Sequence, residues 1–443
     1  MLSTLINHWD IAIAVGVFVL AFIAIVFEVL NKSVVAIAGA TLLIVTRILT
    51  FEEAVESINF EIIALLAGMM ILVEIAKESG LFALINSHLA SFSKGNPFLI
   101  FLFFMLVTAF ASAFLDNVTT ILIVVPITIA LVSGMGYNPF PYVIAEILFS
   151  NIGGALTLVG DPPNILIGTM AGISFNSFIA HLSLPIILII LLTLTTFYVI
   201  NWKDLKPIRH NLSKLFLSNL LLKKIHYQYC RTNLNTAYMI TVATVIVLTI
   251  IGFLLQFIID LPLAVIACSG AFLLMIIVNK KIEVHNVFSR VEWPTLGFFA
   301  GLFVLVRGLE SVGVLEIIGH SLIGTTNNFA LLILIVLWSA GILSMVVDNI
   351  PFVTVMIPVI FTIQTTLGSD PHFSLLWWAL VLGACLGGNG TIIGASANVI
   401  GVDLARKHGI PITFLSYLKY SLPLTLMALT VSSVYLMVWY FYF

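Results

Sequence analysis

Charge is what this chain has least of. Only 9% of its 443 residues are Asp, Glu, Lys or Arg, against 61% hydrophobic, whereas a soluble domain carries about a quarter charged. That balance excludes a water-soluble fold. The net charge of −2 leaves no basic surface for nucleic acid. Cysteine is nearly missing: Cys230, Cys268 and Cys385 have no paired spacing, so neither a disulfide framework nor a zinc site is indicated. A basic stretch and a cleavage site are both lacking around the first apolar segment, which follows Asp10 and reads as a retained helix. Alternating apolar and polar segments, the mark of a membrane β-barrel, are absent too. No motif asks for a cofactor.

Long apolar runs fill the space instead. They stand near 11–30, 33–49, 60–78, 97–134, 141–173 and 182–201, then near 236–258, 262–279, 293–311, 329–366, 375–405 and 420–442. About 20 apolar residues span the hydrocarbon, so these predict an all-α polytopic membrane protein set in a lipid bilayer. A polar stretch, 202–235, separates the two sets of six. The gross form is an internal duplication, with one repeat in 1–201 and another in 236–443.

Particular residues repeat as well. Asp116-Asn117-Val118-Thr119 is followed by Pro126, and Asp348-Asn349-Ile350-Pro351 by Pro358. Gly153-Gly154 leads through Thr157 to Asp161-Pro162-Pro163-Asn164, and Gly387-Gly388 leads through Thr391 to Ser396-Ala397-Asn398. Offsets of 231 to 234 relate the halves throughout.

Parity gives the handedness of the repeat. If 97–134 dips in and returns while 141–173 crosses once as a broken helix, each half crosses five times and the halves are inverted. An outside N-terminus then puts 16 of the 18 Lys and Arg on the cytoplasmic side, including the basic linker 202–235, as the positive-inside rule requires. Two full crossings at 97–134 would leave the parity unchanged. The short Asp-Asn turn favours the hairpin.

Polar breaks at membrane depth predict a transport site between the repeats. Asp116 and Asp348 can hold a proton or a small hard cation, with Asn117, Asn349 and Thr119 adding oxygens; sodium is the metal those four Asp and Asn residues would suit. The alternative is that each Asp merely caps the next helix. At the broken helices Thr157, Asp161 and Asn164, with Thr391, Ser396 and Asn398 as their mates, offer polar groups beside freed backbone carbonyls. Glu146 reads as a proton relay or an interfacial acid. Glu74 and Arg307 occupy matched positions at opposite faces, so no pair is expected between them. His181, His320, His372 and His408 read as interfacial, and Cys385 as inert packing or a contact for a thiophilic cargo. Rival readings are an intramembrane aspartyl protease built on the two Asp residues and a passive channel.

Phe114-Leu115-Asp116-Asn117-Val118-Thr119-Thr120 and Gly160-Asp161-Pro162-Pro163-Asn164 resemble the ArsB/NhaD family of the ion transporter superfamily, in its P protein-like branch. The resemblance covers essentially the whole chain. It implies inverted five-crossing repeats, each with a re-entrant hairpin and a broken helix, and transport by an elevator-type motion. A plasma-membrane transporter, not an enzyme, is the expectation. Dicarboxylate relatives are homodimers with a Ser-Asn-Thr tip for sodium. Asp replaces that Ser here, which points to proton coupling. Export of a small inorganic ion or oxyanion such as arsenite is the leading expectation, followed by sodium/proton antiport and then dicarboxylate uptake.

Overall fold

The computed structural model describes residues 8–27, 30–82, 84, 92–93, 96–202, 205, 236–279, 282–326, 328–367 and 372–442. The basic linker of 202–235 therefore lies outside the described residues, apart from Trp202 and Leu205, and so do Lys94, Lys280 and Lys281. The described chain is helical throughout. Among the described residues, seven helices are long and apolar enough to cross a membrane, or eight if one bent pair is a single span.

The first half holds α1 (His8–Val26), α2 (Lys32–Val45), α3 (Phe51–Glu56), α4 (Phe60–Glu78), α5 (Pro97–Ser112), α6 (Asn117–Gly134), α7 (Phe140–Gly154), α8 (Pro162–Met170) and α9 (Phe175–Ile200). The second holds α10 (Thr236–Leu254), α11 (Gln256–Ile259), α12 (Leu263–Val278), α13 (Val284–Ser289), α14 (Trp293–Ser311), α15 (Val314–Thr325), α16 (Phe329–Val346), α17 (Asn349–Leu367), α18 (Ser374–Gly387), α19 (Ser396–Lys407) and α20 (Phe414–Tyr442). Caps set many of the starts. Asn31, Asn59, Asn96, Asp116, Ser174 and Asn328 each accept a backbone N–H of the first turn, and Thr50 with Glu53 forms a full capping box on α3.

The halves match element by element: α1 to α4 with α10, α12, α13 and α14, and α5 to α9 with α16 to α20. Packing is reciprocal in the same sense. Helix α2 lies on α14 and α4 on α12; α6 lies on α19 and α17 on α8. The close approaches repeat too. A Cβ on Gly68 would stand 2.9 Å from the Cys268 nitrogen, and one on Gly301 2.7 Å from the Ala36 carbonyl carbon. Small residues let backbones meet where lipid supplies no hydrophobic drive between helices.

Polar contacts fix the direction of each repeat. Ser33 Oγ donates to Pro294 O at 2.5 Å, so α2 and α14 begin at one end. Arg290, just before α14, pairs with Glu74 at 2.9 Å and Glu78 at 2.6 Å near the end of α4. Helix α4 therefore finishes where its counterpart α14 starts, and the repeats are inverted. At the opposite end Glu53, Glu56, Arg307 and Glu310 share a second cavity. Glu74 and Arg307 are thus apart, as expected, and Arg307 pairs with Glu310 at 2.9 Å.

Inversion decides the hairpin question. Asp116, between α5 and α6, and Asp348, between α16 and α17, line one cavity. Full crossings in inverted repeats would carry these tips to opposite surfaces. Both tips instead line one cavity, so both hairpins re-enter. The 16 residues of α5 span only ~24 Å, which is short of the hydrocarbon thickness.

The breaks themselves are compact. Gly153 and Gly154 belong to the last turn of α7, and residues 155–161 make tight turns before α8. The two glycines act through proximity. A Cβ on Gly153 would lie 2.5 Å from Ala109 Cα, and its counterpart on Gly387 2.7 Å from Gly341 Cα. Both neighbours are backbone and cannot rotate away. Gly387→Val is expected to destabilise the folded protein by about 1–3 kcal/mol or more through overpacking. A lowered melting temperature in detergent, absent from Gly324→Ala where nothing lies within 4 Å, is the measurement that checks it.

Candidate functional site

Each hairpin tip presents an acid that also caps its own helix. Asp116 Oδ1 accepts the amides of Val118 at 2.8 Å and Thr119 at 3.0 Å, and the Thr119 hydroxyl donates to Oδ2. Asp348 Oδ1 accepts the Ile350 amide at 3.4 Å, while its Oδ2 takes Lys32 Nζ at 3.2 Å and Ser396 Oγ at 3.3 Å. The capping role and the cavity-facing role coexist, because a helix N-terminus favours negative charge.

Helix breaks leave carbonyls without an i+4 amide, and in a dry interior each such orphan costs about 1–3 kcal/mol. Two asparagines supply the missing donors. Asn164 Nδ2 donates to Gly154 O at 3.0 Å and Thr157 O at 2.8 Å; Asn398 Nδ2 donates to Gly388 O at 2.7 Å and Thr391 O at 2.8 Å. Thr157 Oγ1 donates to Ala113 O, and Thr391 Oγ1 to Met345 O at 2.5 Å, tying each break to the neighbouring hairpin. These four residues therefore hold the breaks together, and none is on the cavity wall.

A knot of amides joins the two halves. Asn151 Nδ2 donates to Asn389 Oδ1 and Asn398 Oδ1, both at 2.7 Å, and Asn151 Oδ1 accepts Asn117 Nδ2 at 3.1 Å. Asn117 Oδ1 in turn accepts Ser112 Oγ at 2.7 Å. Asn151 and Asn389 were not expected from sequence. The signal was a carboxamide in a run as apolar as Ile147-Leu148-Phe149, just ahead of the Gly-Gly pair. Cys385 is the counterpart of Asn151, and its thiol donates to Asn164 Oδ1 at 3.1 Å. It packs in the interior, off the cavity.

The cavity holds about 300 Å³ and is walled by Asp116, Asn117, Asp161, Asp348, Asn349 and Ser396. Leu66, Met69, Met70 and Val73 place its floor at the middle of α4, and Lys32, Glu292 and Thr295 line its mouth. A third cavity, lined by Leu30, Asn31, Lys32 and Ile393 and sharing Asp348 and Ser396, adjoins it. The site therefore opens toward the Lys32 end. Asp161 is 4% exposed and its Oδ2 has no hydrogen-bond partner. Its counterpart is Ala395, which occupies the same N-cap position on α19. The expected pairing of Asp161 with Ser396 is thus off by one residue, since Ser396 matches Pro162.

Four carboxylates, Asp116, Asp161, Asp348 and Glu292, face one ammonium, Lys32, across this cavity. Lys32 and Glu292 were missed because both sit at segment ends, where charge is ordinary. Burial, and then the negative charge of Asp116, push the Glu292 carboxyl above the usual carboxylate range. Thr119 gives its hydroxyl to Asp116 and stays off the wall.

The weaker candidates resolve plainly. Glu146 is fully buried, bonded to the Thr128 hydroxyl through Oε1 with Oε2 unpartnered, so the interfacial reading fails. His181 stacks between Trp378 and Trp439, with ring centroids 4.6 and 4.8 Å away. His372 lies 4.9 Å from the Tyr440 ring.

Inverted repeats whose hairpin tips and broken helices enclose an acidic cavity define a secondary membrane transporter, not an enzyme. The chain belongs to the CitMHS citrate transporter family, which it matches over residues 22–383. A 46 kDa membrane protein of Mycobacterium leprae is 33% identical, over 96% of this chain and 97% of that one. The mouse P protein is 32% identical over 97% of this chain but only 60% of its own greater length. The Alcanivorax borkumensis YdaH transporter shares the fold, with a TM-score of 0.56 at 16% identity over 85% of this chain and 84% of that one. The P protein-like part of the resemblance is met by these relatives, and the family matched is CitMHS.

Asn398→Ala orphans the carbonyls of Gly388 and Thr391 and one Asn151 donor, for an expected loss of about 2–5 kcal/mol. A drop in detergent melting temperature well beyond that of the exposed Ser321→Ala checks it. Equal, small shifts in both would sink the clamping role.

Proposed function

We propose that the chain exports a small inorganic ion or oxyanion of the arsenite type, coupled to protons. Hairpins α5–α6 and α16–α17 with broken helices α7–α8 and α18–α19 would move as a body against a scaffold of α2, α4, α12 and α14. The observation that carries the reading is the cavity of four carboxylates and one lysine at the two hairpin tips. Carboxylates at the tips accept protons, and arsenite, which is the uncharged acid As(OH)3 at neutral pH, meets no like-charge repulsion there. Citrate would bring three carboxylates to four, and like charges at close range in a partly dry site repel strongly. Asp in place of the tip Ser of dicarboxylate relatives argues the same way, and the ArsB/NhaD resemblance supports an inorganic cargo. The same excess of carboxylates favours a second reading, sodium/proton antiport. Dicarboxylate uptake ranks third.

The repeats are proposed to span 1–201 and 236–443, with 202–235 as a cytoplasmic linker. The placement of 16 of 18 basic residues supports an N-terminus outside, and residence in the plasma membrane is proposed with it. The cavity of this structure then faces the cytoplasm. A homodimer is proposed from the dicarboxylate relatives alone.

Expression in a strain stripped of arsenite and sodium exporters tests these readings. Rescue on arsenite is expected, with rescue only on high sodium selecting the second reading. Asp116→Asn or Asp348→Asn should lower gradient-driven flux at least about tenfold, the scale of losing an ionised ligand in a site. Flux indifferent to any proton or sodium gradient would leave a channel instead.

A further inference from the structure

The two hairpin tips carry the same acid and satisfy it differently. Asp116 is closed within its own hairpin by the Thr119 hydroxyl and two amides. The residue in register with Thr119 is Pro351, which has no hydroxyl and no amide hydrogen to give. Asp348 therefore looks outward, to Lys32 at 3.2 Å and Ser396 at 3.3 Å. Lys32 has no counterpart either, because Leu263 stands in its register on α12. Its ammonium also donates to Ser396 Oγ at 3.2 Å and lies 5.4 Å from the centre of the Phe298 ring.

This contact crosses a boundary that the Thr119 contact does not. Lys32 begins α2, a scaffold helix, whereas Asp348 and Ser396 lie on a hairpin tip and a broken helix. Two oxygens from two elements converge on one positive group, the arrangement that a monovalent cation or a proton on the carboxylate would also use. The groups facing them are Asp116 and Asp161 from the starts of α6 and α8, and Glu292 with Thr295 at the start of α14. Among the described residues of the cavity wall, Lys32 supplies the one positive charge. Its side chain is 33% exposed and that of Asp348 17%, so the pair is weak enough to exchange.

We propose that Lys32 is a tethered counter-cation. Its ammonium occupies the place at Asp348 and Ser396 that a transported or coupling monovalent positive charge takes, and it holds the carrier open toward the Lys32 end until displaced. The inference rests on the proposed movement of the hairpins against the scaffold. Without displacement, Asp348 stays bound to the scaffold and the empty ionised carrier does not cycle. With displacement, Lys32 returns to water and the tip is free. Asp116, which carries its partner with it, imposes no such condition.

The test reads conformation directly and needs no cargo, so it can fail while the transport reading stands, or hold while the cargo assignment fails. Ile393, 47% exposed on the adjoining cavity wall, is replaced by cysteine in full-length protein carrying Cys230→Ser and Cys268→Ser, with buried Cys385 kept. The rate of labelling by a hydrophilic maleimide in detergent is then measured. Lys32→Gln should slow labelling about three- to fivefold, the range a half-buried ion pair supports, and Lys32→Arg should keep the parent rate. Asp348→Asn should slow it alike, and combining it with Lys32→Gln should add nothing. In the parent, slowing by sodium over choline identifies a metal cation as the displacing charge, and slowing by acid beyond that of Lys32→Gln at the same pH, which corrects for the lost thiolate, identifies the proton. A parent rate in Lys32→Gln, equal slowing in Lys32→Arg, or no response to either sodium or acid would overturn the proposal.

Discussion

The carbonyls freed where two helices break inside the protein are the constraint on which the rest depends. Neither bulk water nor lipid can satisfy them at that depth, so the chain must. Asn164 and Asn398 do so with one amide each, closing both ends of their own break. Once the amides are committed, the turns of 155–161 and 388–395 are held tight, and the starts of α8 and α19 are fixed in space. Asp161 and Ser396 stand at those starts, and the cavity follows from where they point. Glycines 153 and 387 complete the constraint from the other side, by letting α7 and α18 touch the hairpin backbones.

A symmetric frame carries asymmetric chemistry. Clamps, close glycines and threonine ties recur at matched positions in both halves. The groups that differ are those at the cavity and along the contact between halves: Asp161 against Ala395, Asn151 against Cys385, Thr119 against Pro351, Lys32 against Leu263. Under the proposed movement of a body between inverted repeats, symmetry would give two equivalent geometries. The unmatched residues are what can make loading from one side differ from loading from the other. Charge concentrates accordingly, with three of the four acids of the cavity within a tip or a break and its one lysine on the scaffold.

Much of this was legible in the residues. Apolar length gave the helices, the doubled Asp-Asn and Gly-Gly strings gave the two breaks of each half, and parity with charge gave inversion. The hairpin was undecided by length alone, because α6 with 18 residues and α17 with 19 could each cross. Side-chain roles were read less well. Thr157, Asn164, Thr391 and Asn398 looked like ligand groups because they are polar near a break. Their hydrogen bonds turn back into the backbone, where the unpaired carbonyls are the nearer need. Lys32 and Glu292 looked like ordinary segment-end charges, since sequence does not say that a helix end lies over a cavity.

The sequence by itself determined that this is a helical membrane protein of two inverted halves with polar breaks, because composition, periodicity and repetition are properties of the chain read in order. Tertiary structure decided which polar groups serve the breaks and which face the cavity. A hydrogen bond such as that from Lys32 to Asp348 joins residues 316 positions apart. No local pattern encodes it; it exists because packing α2 on α14 brings a scaffold helix end to the tip of a hairpin from the other half.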